Sequence, residues 1–522
     1  MKFRIVDSVP TSPPRNGEWN AYLLDDSWDD WNKYRTQFYL VLIDPDGTKH
    51  DIGSVKVGQC GLKPHKKIKV SDIPPGYRKP ALPSPFAALD EDFFSLGQDP
   101  EYYENLNALG DDIRDRVLSS LKDIARDIEL WGAIQNEDVL DESLLRSVTR
   151  STVEGQFRRM AQGHARVTPY SFEYTPPKRM GDGAPPFTLD FKVNPKSPVP
   201  TNVHVLIGRN GVGKTRLLSL MTKALVAKDA SAKQSGKFEF NESNESAETF
   251  ANVIGVSFSA FDENDLLPER NPEPDSLGFS YIGIRDWSSS KNSSGIKPKT
   301  PGLLASEFVN SLKECRIGSK RLRWTAAMRV LQSDPVFKAA ELINMIDTDF
   351  SEKEQHEEVL KIFKALSSGH KIVLLILTRL VEKVEERTLV LIDEPEAHLH
   401  PPLLAAMTRA ISELLVSRNG VAIVATHSPI ILQEVPRSCV WIIDRILTAA
   451  KVERPSIETF AENVGILSRE VFQLELSQSG YNQLLLKLSQ EYEDYEDAID
   501  HMKNRIGSEG KAVLRAMFLG QK

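Results

Sequence analysis

A strand, a glycine-rich loop and a helix follow one another at residues 203–225, and this stretch limits the possible folds more than any other. The letters VHVLIGRNGVGKT give an alternating apolar strand and then the spacing Gly-x4-Gly-Lys-Thr. Glycines at this spacing let the backbone wrap a phosphate with its N–H groups pointing inward, and the N-terminus of the following helix adds a favourable dipole. The stretch therefore predicts a P-loop at the end of a buried strand in an α/β fold.

The P-loop gives each of its polar residues an expected role. We expect Lys214 to meet the β- and γ-phosphates of a nucleotide, and Thr215 to offer its hydroxyl to Mg²⁺. The residues expected to line the nucleotide are Gly208, Arg209, Asn210, Gly211, Gly213, Lys214, Thr215 and Arg216.

A second apolar strand ends in two adjacent carboxylates, in the stretch LVLIDEPEAHLHP at 389–401. One interpretation is a metal site built from Asp393, Glu394, His398 and His400. The histidines have no cysteine or third histidine beside them, so local hydrogen bonds or a subunit contact are the favoured interpretation for that pair. Ligand sites in parallel sheets lie at the carboxyl ends of strands. We therefore expect Asp393 to hold the Mg²⁺ shell and Glu394 to orient and polarise the attacking water.

Two further motifs complete the set. LSSGH at 366–370 precedes an apolar helix, and VAIVATHSP at 421–429 is a buried strand that ends in His427. With these motifs the chain resembles the ABC-type ATPases, and more narrowly the branch related to SMC, RecF and OLD proteins, across residues 165–445. The resemblance implies that ATP and Mg²⁺ are the cofactors and that His427 senses the γ-phosphate.

The same resemblance assigns Ser367 and Gly369 to a signature motif that closes on the γ-phosphate held by another subunit. The chain departs from the family pattern at Ser368, where glycine is usual, and at His370, where glutamine is common. These departures predict slow turnover, or turnover gated by a partner.

A third departure concerns the glutamine that ABC-type ATPases carry after a strand near the middle of the domain. The strand is predicted within NVIGVSFSAFDE at 252–263, and no clear glutamine follows it. Ser259 and Asp262 lie about where that glutamine is expected. The identity of the residue at this position is left open.

Bulk composition limits the class of protein. The 522 residues exceed one ordinary domain, and the 40% apolar and 26% charged fractions are normal for a globular chain. The net charge of -8 argues against a generally basic nucleic-acid coat. The three isolated cysteines predict neither disulfides nor a Cys-x2-Cys site. The first residues lack the apolar run of a signal peptide and no stretch is long enough to span a bilayer, so we expect a cytoplasmic protein without a membrane partner.

The predicted fold class is α/β. Its centre is an ABC-type P-loop ATPase core at 166–445, with a mixed, mostly parallel sheet, helices on both faces and an insert at about 228–360. An α+β region with a hairpin and helices precedes it at 1–165, and a helical region follows at 446–522. We expect the insert to be helical.

Three periodic stretches in the flanking regions add detail. Residues 36–58 alternate around a DPDG turn and predict a hairpin. Residues 111–131 repeat apolar side chains at steps of three and four and predict one amphipathic helix. The tail from Leu484 to Ile506 carries a near-heptad apolar stripe, which is typical either of a helix packed on its own domain or of a docking surface.

The flanks also carry their own resemblance. FFSLGQDPEYYENL at 93–106 and RPSIETFAENVGILSREVFQLE at 454–475 resemble the PtuA ATPase subunit of Septu anti-phage systems, including retron-associated ones. The resemblance implies a head-to-tail dimer or higher homo-oligomer that controls a small HNH nuclease subunit of the PtuB type. No second catalytic centre is evident, so we expect the chain itself not to be a nuclease. The alternative is a self-standing DNA-repair ATPase of the RecF or SMC type.

Basic clusters are candidate contacts for a nucleic acid, either DNA or the msDNA of a retron. Phosphate neutralisation requires several cations together, and each cluster taken singly is more typical of a solvated face. The clusters are Lys63, Lys66, Lys67 and Lys69; Arg158, Arg159 and Arg166; and Lys320, Arg321 and Arg323.

Overall fold

The computed structural model gives an architecture of several sheets with helices packed against them. It describes residues 1–10, 17–26, 33–64, 77–163, 167–177, 187–227, 231–240, 250–258, 267–270, 277–286, 297–316, 319–347, 353–446, 449–478, 480–503 and 505–520. The strands are β1 (Lys2–Val6), β2 (Asn20–Asp25), β3 (Gln37–Ile43), β4 (Lys49–Gln59), β5 (Phe93–Gly97), β6 (Tyr170–Thr175), β7 (Leu189–Val193), β8 (Val203–Ile207), β9 (Lys237–Phe240), β10 (Asn252–Ser257), β11 (Gly278–Gly283), β12 (Arg285–Asp286), β13 (Lys297–Pro298), β14 (Leu389–Asp393), β15 (Val421–Thr426), β16 (Val440–Ile446) and β17 (Ala449–Glu453).

The helices connect and cover these strands. They are α1 (Pro100–Ala108), α2 (Asp111–Ser120), α3 (Ile128–Ala133), α4 (Arg150–Thr152), α5 (Arg158–Ala161), α6 (Lys214–Val226), α7 (Ala232–Ser235), α8 (Pro301–Cys315), α9 (Ser319–Leu331), α10 (Pro335–Ala339), α11 (Lys353–Ala365), α12 (Ser368–Lys383), α13 (Pro401–Ser417), α14 (Pro429–Leu432), α15 (Val464–Gln478), α16 (Tyr481–Glu491), α17 (Tyr495–His501) and α18 (Ser508–Gly520). Among the described residues, no helix combines the length and the low charge that crossing a bilayer requires.

A seven-stranded sheet forms the centre, in the order β11-β10-β14-β15-β8-β16-β17. Neighbouring strands are parallel except β16 and β17, which are antiparallel. The central strands β8, β14 and β15 are buried along their whole length, as continuous apolar runs in parallel sheets are. The register aligns Asp393 with Ala425 and Thr426 with Ile207, so the carboxyl ends of β14, β15 and β8 meet at one edge.

Both faces of this sheet are covered. Val205 and Ile207 join a core with the helices α8, α9, α12 and α13, whereas Leu206 faces α6 and the three-stranded sheet β7-β6-β9. This alternation is the two-residue period of a strand buried on both sides. The predicted α/β class, with a mixed, mostly parallel sheet between helices, is confirmed. Within residues 228–360, where an insert was expected, β10 and β11 belong to the central sheet and the long helices begin at Pro301.

The N-terminal sheet has the order β1-β2-β3-β4-β5, and β3 and β4 form the predicted hairpin. The single helix predicted at 111–131 is wrong, because the chain leaves α2 after Ser120. Asp123 is buried there and accepts hydrogen bonds from the N–H groups of Ala125 and Arg126, at 3.0 and 3.2 Å, and from the hydroxyl of Tyr103 at 3.0 Å. A short acidic side chain that binds the backbone in this way competes with the helix.

The apolar stripe predicted from Leu484 to Ile506 also belongs to separate helices. α16, α17 and α18 pack around a small core that includes Leu485, Leu488 and Leu514. The helix does not continue from α16 into α17, because the Asp494 carboxylate caps the start of α17. It accepts a hydrogen bond from the N–H of Asp497 at 3.1 Å. The apolar residues of the stripe therefore serve in large part as the core of a helical bundle.

His204 is the second residue of β8 and fully buried, and its ring meets the ring of Phe191 edge to face with 5.2 Å between ring centroids. Burial lowers the pKa of His204 to about 3. The imidazole is therefore neutral in the folded protein across the physiological range, whereas in the unfolded chain it titrates near pH 6.5.

This difference predicts a pH dependence of stability. Below pH 6.5 the unfolded chain binds a proton at His204 that the folded chain does not, so stability falls as the pH falls, until the pH approaches 3. Between pH 7.5 and pH 5, this group is expected to remove about 2 kcal/mol from the free energy of unfolding. His204→Phe keeps an aromatic ring against Phe191 and should lose less stability over that range, measured by denaturant unfolding at both pH values. Equal losses in the two proteins would contradict the assignment.

Candidate functional site

The glycines of the loop after β8 are required by its geometry. A side chain at Gly208 would place its Cβ 2.1 Å from the carbonyl oxygen of Ile443. Gly211 and Gly213 have φ values of +82° and +101°, in the left-handed region that favours glycine. Nothing lies within 4 Å of where their side chains would begin. The loop is thus tight where it leaves the sheet and open where it enters α6, as a backbone cradle for phosphate requires.

Lys214 is the first residue of α6 and only 4% of it is exposed. Its Nζ donates to the carbonyl oxygens of Gly208 at 2.9 Å and Arg209 at 3.0 Å. Burial lowers the pKa of Lys214, while the charges of Glu394 and two neighbouring carboxylates act in the opposite direction. The ammonium is therefore held at the start of the loop, beside the acids that follow β14.

Thr215 and Asp393 meet, although 178 residues separate them in the sequence. The Thr215 hydroxyl donates to Oδ1 of Asp393 at 3.1 Å, and Asp393 is 8% exposed. A hydroxyl beside a carboxylate is the donor set that suits Mg²⁺, which prefers oxygen ligands and keeps several waters or substrate oxygens in its shell. These residues fit the predicted ion.

Glu394 follows the strand in an unusual conformation. Its φ is +44°, and its N–H donates to the carbonyl oxygen of Ala425 on β15 at 2.9 Å. The left-handed region costs a non-glycine residue roughly 1–2 kcal/mol, so the surrounding contacts must hold it there. The hydrogen bond to β15 therefore helps to hold Glu394 in a turn directly after Asp393, the last residue of β14.

His427 is fixed by a residue that sequence reasoning missed, Glu396. One oxygen of Glu396 accepts from the Thr426 hydroxyl at 2.6 Å and from the His427 N–H at 2.7 Å, and lies 3.1 Å from Nδ1 of His427. The His427 side chain is 46% exposed, so it is not a buried core histidine. In the sequence, Glu396 could have been noticed as a second carboxylate two residues beyond Glu394, in the turn before α13.

Ser367 caps the N-terminus of α12 and belongs to a chain of hydrogen bonds. Its Oγ lies 2.6 Å from Nδ1 of His370, and Nε2 of His370 lies 3.2 Å from Oδ1 of Asp334. Burial raises the pKa of Asp334, but hydrogen bonds from the Val336 N–H and from His370 outweigh it and hold the pKa below its ordinary value. His370, at the position of the usual glutamine, thus orients the signature serine. Sequence reasoning missed Asp334, whose signal was its place before Pro335 at a helix start.

Gly369 has a packing role. A Cβ there would lie 2.6 Å from the carbonyl oxygen of His398, which has a φ of +79°. His400 faces a different residue: its Nε2 lies 3.7 Å from Oδ2 of Asp334. Among the described residues, no group of three or more His, Cys, Asp or Glu side chains is placed to hold a metal. His400 thus lies near Asp334, and the backbone of His398 packs against Gly369.

Comparisons with known proteins identify relatives of this chain. The family model described as "AAA domain, putative AbiEii toxin, Type IV TA system" matches residues 290–433, from the start of the helical layer to α14. The protein ea59 of Escherichia phage lambda is 38% identical over 524 residues, which covers 96% of this chain and 95% of ea59. The chain belongs to the ea59 family.

Solved structures of ATP-binding cassettes are also similar. A cassette of an ABC transporter in its ADP conformation is 13% identical, with a TM-score of 0.28 over 56% of this chain and 94% of that one. A nucleotide-free cassette from an ABC transporter is 15% identical, with a TM-score of 0.26 over 54% and 91%. In this ea59-family protein the AAA-domain model matches the helices of one face together with β14 and β15, and the loop after β8 has the geometry of a phosphate cradle.

Of the remaining residues singled out in the sequence, some lie at the P-loop and others lie outside the described residues. Arg209, Asn210 and Arg216 lie on the loop and the first turn of α6, as expected. Ser259 and Asp262 lie outside the described residues, as do Lys66, Lys67, Lys69 and Arg166.

The other basic residues do not form continuous solvated faces. Arg159 forms a largely buried ion pair with Glu386. Arg321 is exposed and pairs with Asp347, whereas its neighbours Lys320 and Arg323 line an interior cavity. Within the clusters at 158–159 and 320–323, neighbouring residues therefore have different surroundings, because adjacent positions on a helix point in different directions. Their role as nucleic-acid contacts stays a prediction.

Proposed function

We propose that the protein is a Mg²⁺-dependent ATPase whose complete site forms between two copies of the chain arranged head to tail. The observation that carries the proposal is the convergence of polar side chains at one edge of three neighbouring strands. The loop after β8 contributes Lys214 and Thr215. Asp393 and Glu394 come from the end of β14, and His427 follows β15, which lies between. A phosphate chain on the loop would lie within reach of all three strand ends.

The residues divide the work of phosphoryl transfer to water. Bound Mg²⁺ would neutralise the charge that develops on the phosphate oxygens. Thr215 and Asp393 are placed to hold that ion, and Lys214 to meet the β- and γ-oxygens. Glu394 would accept a hydrogen bond from the attacking water and orient it. His427, held by Glu396, would donate to the γ-phosphate.

The signature motif supports a shared site. Within one chain, Ser367 makes its described contacts with His370 at the start of α12, and none of its described hydrogen bonds reaches the P-loop. A serine hydroxyl at a helix N-terminus is well suited to an anion. We infer that Ser367 serves the nucleotide on a second copy.

Mixing two defective chains tests this inference. Lys214→Ala and Ser367→Ala should each be nearly inactive alone. In a random mixture of dimers, half would be mixed and each mixed dimer would hold one intact site of two, so up to about a quarter of wild-type turnover should return. Steady-state ATP hydrolysis at constant total protein measures this.

Ser367→Ala also removes a helix cap, at a cost of about 1 kcal/mol, so its melting temperature is recorded beside its activity. A mixture of two Lys214→Ala preparations is the matched control. If each single variant keeps its own share of activity and mixing adds nothing, each chain carries a complete site.

We also propose that this ATPase acts in conflict between phage and host, as a nucleotide-gated subunit that controls a separate HNH nuclease. Three facts support the proposal: the likeness of the flanks to Septu PtuA subunits, the toxin named in the matching family description, and the phage origin of ea59. We therefore assign nucleic-acid cleavage to a partner as part of this proposal, because the acids and histidines singled out in the sequence belong to the proposed nucleotide site.

The purified chain, alone and with an HNH protein encoded beside its gene, is incubated with duplex DNA, single strands and tRNA across an ATP series. We expect cleavage only by the pair, and we expect ATP to change it. Metal-dependent cleavage by the lone chain that survives Glu394→Gln would show a nuclease site within the chain and refute the division of roles.

A further inference from the structure

The imidazole of His370 lies between an acid and the serine of the signature motif. Its Nε2 is 3.2 Å from Oδ1 of Asp334, and its Nδ1 is 2.6 Å from Oγ of Ser367. The pKa of Asp334 is held below its ordinary value, so at neutral pH this carboxylate is ionised and can only accept hydrogen bonds. Nε2 of His370 therefore carries a hydrogen, which it donates to Asp334.

This hydrogen bond decides which way the Ser367 hydroxyl points. A neutral imidazole carries a single N–H, so Nδ1 of His370 is an acceptor once Nε2 is the donor. The Ser367 hydroxyl must then donate to Nδ1, while its oxygen accepts from the backbone N–H of His370 at 3.5 Å as the cap of α12. With a neutral His370, the one hydroxyl hydrogen of Ser367 is directed into its own chain.

A γ-phosphate cannot use the serine in that state. Phosphate oxygens are negatively charged acceptors, so they would meet the lone pairs of Ser367 Oγ rather than its hydrogen. Protonation of His370 removes the conflict, because Nδ1 then donates to Oγ and the hydroxyl hydrogen can turn to the phosphate. The imidazolium also places a positive charge near the anion, which favours both.

The surroundings of His370 are suited to this exchange of roles. Its ring is largely buried and meets the ring of Phe337 edge to face, with 4.9 Å between centroids. Among the described residues, the titratable groups that face it are Asp334 and His400, whose ring centroid lies 6.2 Å away. Nε2 of His400 lies 3.7 Å from the other oxygen of Asp334. The carboxylate favours a charged His370, and His400 opposes it only when it is itself charged.

We propose that Asp334 and His370 are a positioning pair for Ser367, and that His370 takes up one proton from solvent when Ser367 donates to the γ-phosphate on a second copy. The inference rests on the shared site proposed above and adds its regulation. Histidine is the side chain that ordinarily changes charge between pH 5 and pH 8. Because association binds a proton, it is favoured as the pH falls, by up to about tenfold in the association constant per pH unit for each contact.

The test uses the full-length chain with Glu394→Gln, so that bound ATP is not hydrolysed. Sedimentation with Mg²⁺ and ATP measures association from about pH 6 to about pH 8, the range in which histidine changes charge. Calorimetry at one pH, in two buffers with different heats of ionisation, counts the protons taken up. ADP gives the background, because it lacks the γ-phosphate. We expect association that strengthens as the pH falls, with up to one proton taken up for each Ser367 contact above that background.

Three further substitutions, each added to Glu394→Gln, make the test specific. His370→Gln has an amide that can donate to Ser367 at every pH, so association should remain and its proton uptake should be lost. Asp334→Asn keeps the shape but removes the charge that favours the imidazolium, so proton uptake should fall. This variant decides the question if His370→Gln does not fold. His400→Gln is the matched control, because His400 faces the same carboxylate from its other oxygen, and it should keep the uptake.

The possible failures are distinguishable. If association has the same pH dependence and proton uptake with His370→Gln as without it, the role of His370 is overturned and the shared site stands. Loss of the uptake in His400→Gln alone would assign the proton to His400 and refute the positioning pair. If the chains remain separate with ATP at every pH, the shared site is wrong and this inference fails with it.

Discussion

Lys214→Ala is expected to weaken ATP binding by roughly 10- to 150-fold, the loss of one or two hydrogen bonds from a charged donor, and to remove measurable turnover. The ammonium is held between the carbonyl oxygens of Gly208 and Arg209, so it lies ready at the start of the phosphate cradle. Because burial lowers the pKa of Lys214, a bound phosphate should also favour its charged form. Calorimetric titration with ATP and Mg²⁺ gives the affinity, and phosphate release gives the rate.

The control for this change is Lys233→Ala, on the short helix α7 of the same domain. Lys233 is exposed, so its removal changes the net charge by the same amount without touching the loop. Its affinity should stay within about twofold of the wild type. If Lys214→Ala binds ATP as tightly as the control does, the loop at 208–215 is not the nucleotide site.

The central sheet could be predicted from the sequence because its strands are unusual. VHVLI, LVLID and VAIVAT are apolar without interruption, and such runs belong to parallel strands buried on both faces. Each run is followed at once by glycine, acid or histidine, which places the chemistry at strand ends. What the runs do not give is the order across the sheet, because β15 lies between β8 and β14 although it comes last in the sequence.

The parts that could not be predicted depend on single side chains that turn the backbone or on contacts between distant segments. The helices expected at 111–131 and along the C-terminal tail divide where Asp123 and Asp494 capture backbone N–H groups. Apolar periodicity continues across both breaks, so the pattern alone does not show them. The roles of Glu396 and Asp334 could not be predicted from the sequence for a related reason. Each matters through a histidine it holds, and that pairing exists only in three dimensions.

The departures from the ABC-type pattern have a physical consequence at His370. A glutamine there would offer an amide, whereas His370 links the signature serine to the Asp334 carboxylate. The serine is therefore held within its own chain. If a second copy completes the site, as proposed, the Ser367 hydroxyl is already oriented when that copy binds.

Glu394→Gln is expected to lower kcat for ATP hydrolysis by at least about 100-fold while ATP affinity stays within about twofold, the range for loss of a general base rather than of a binding group. Glutamine has the same shape and can adopt the same left-handed backbone at φ +44°, so the turn after β14 should be preserved. What is lost is a carboxylate that can accept a proton from water.

The matched control for this variant is Glu413→Gln, on an exposed position of α13. Single-turnover kinetics separate the chemical step from nucleotide binding, and both proteins are compared at saturating ATP. Two carboxylates beyond β14, Glu394 and Glu396, act on the charge of Lys214. Because one Glu396 oxygen already accepts from Thr426 and His427, Glu396→Gln should misplace His427 and cost less than Glu394→Gln. If instead Glu394→Gln turns over normally and Glu396→Gln does not, the water is activated by Glu396, and the strained turn at Glu394 serves only to end the strand.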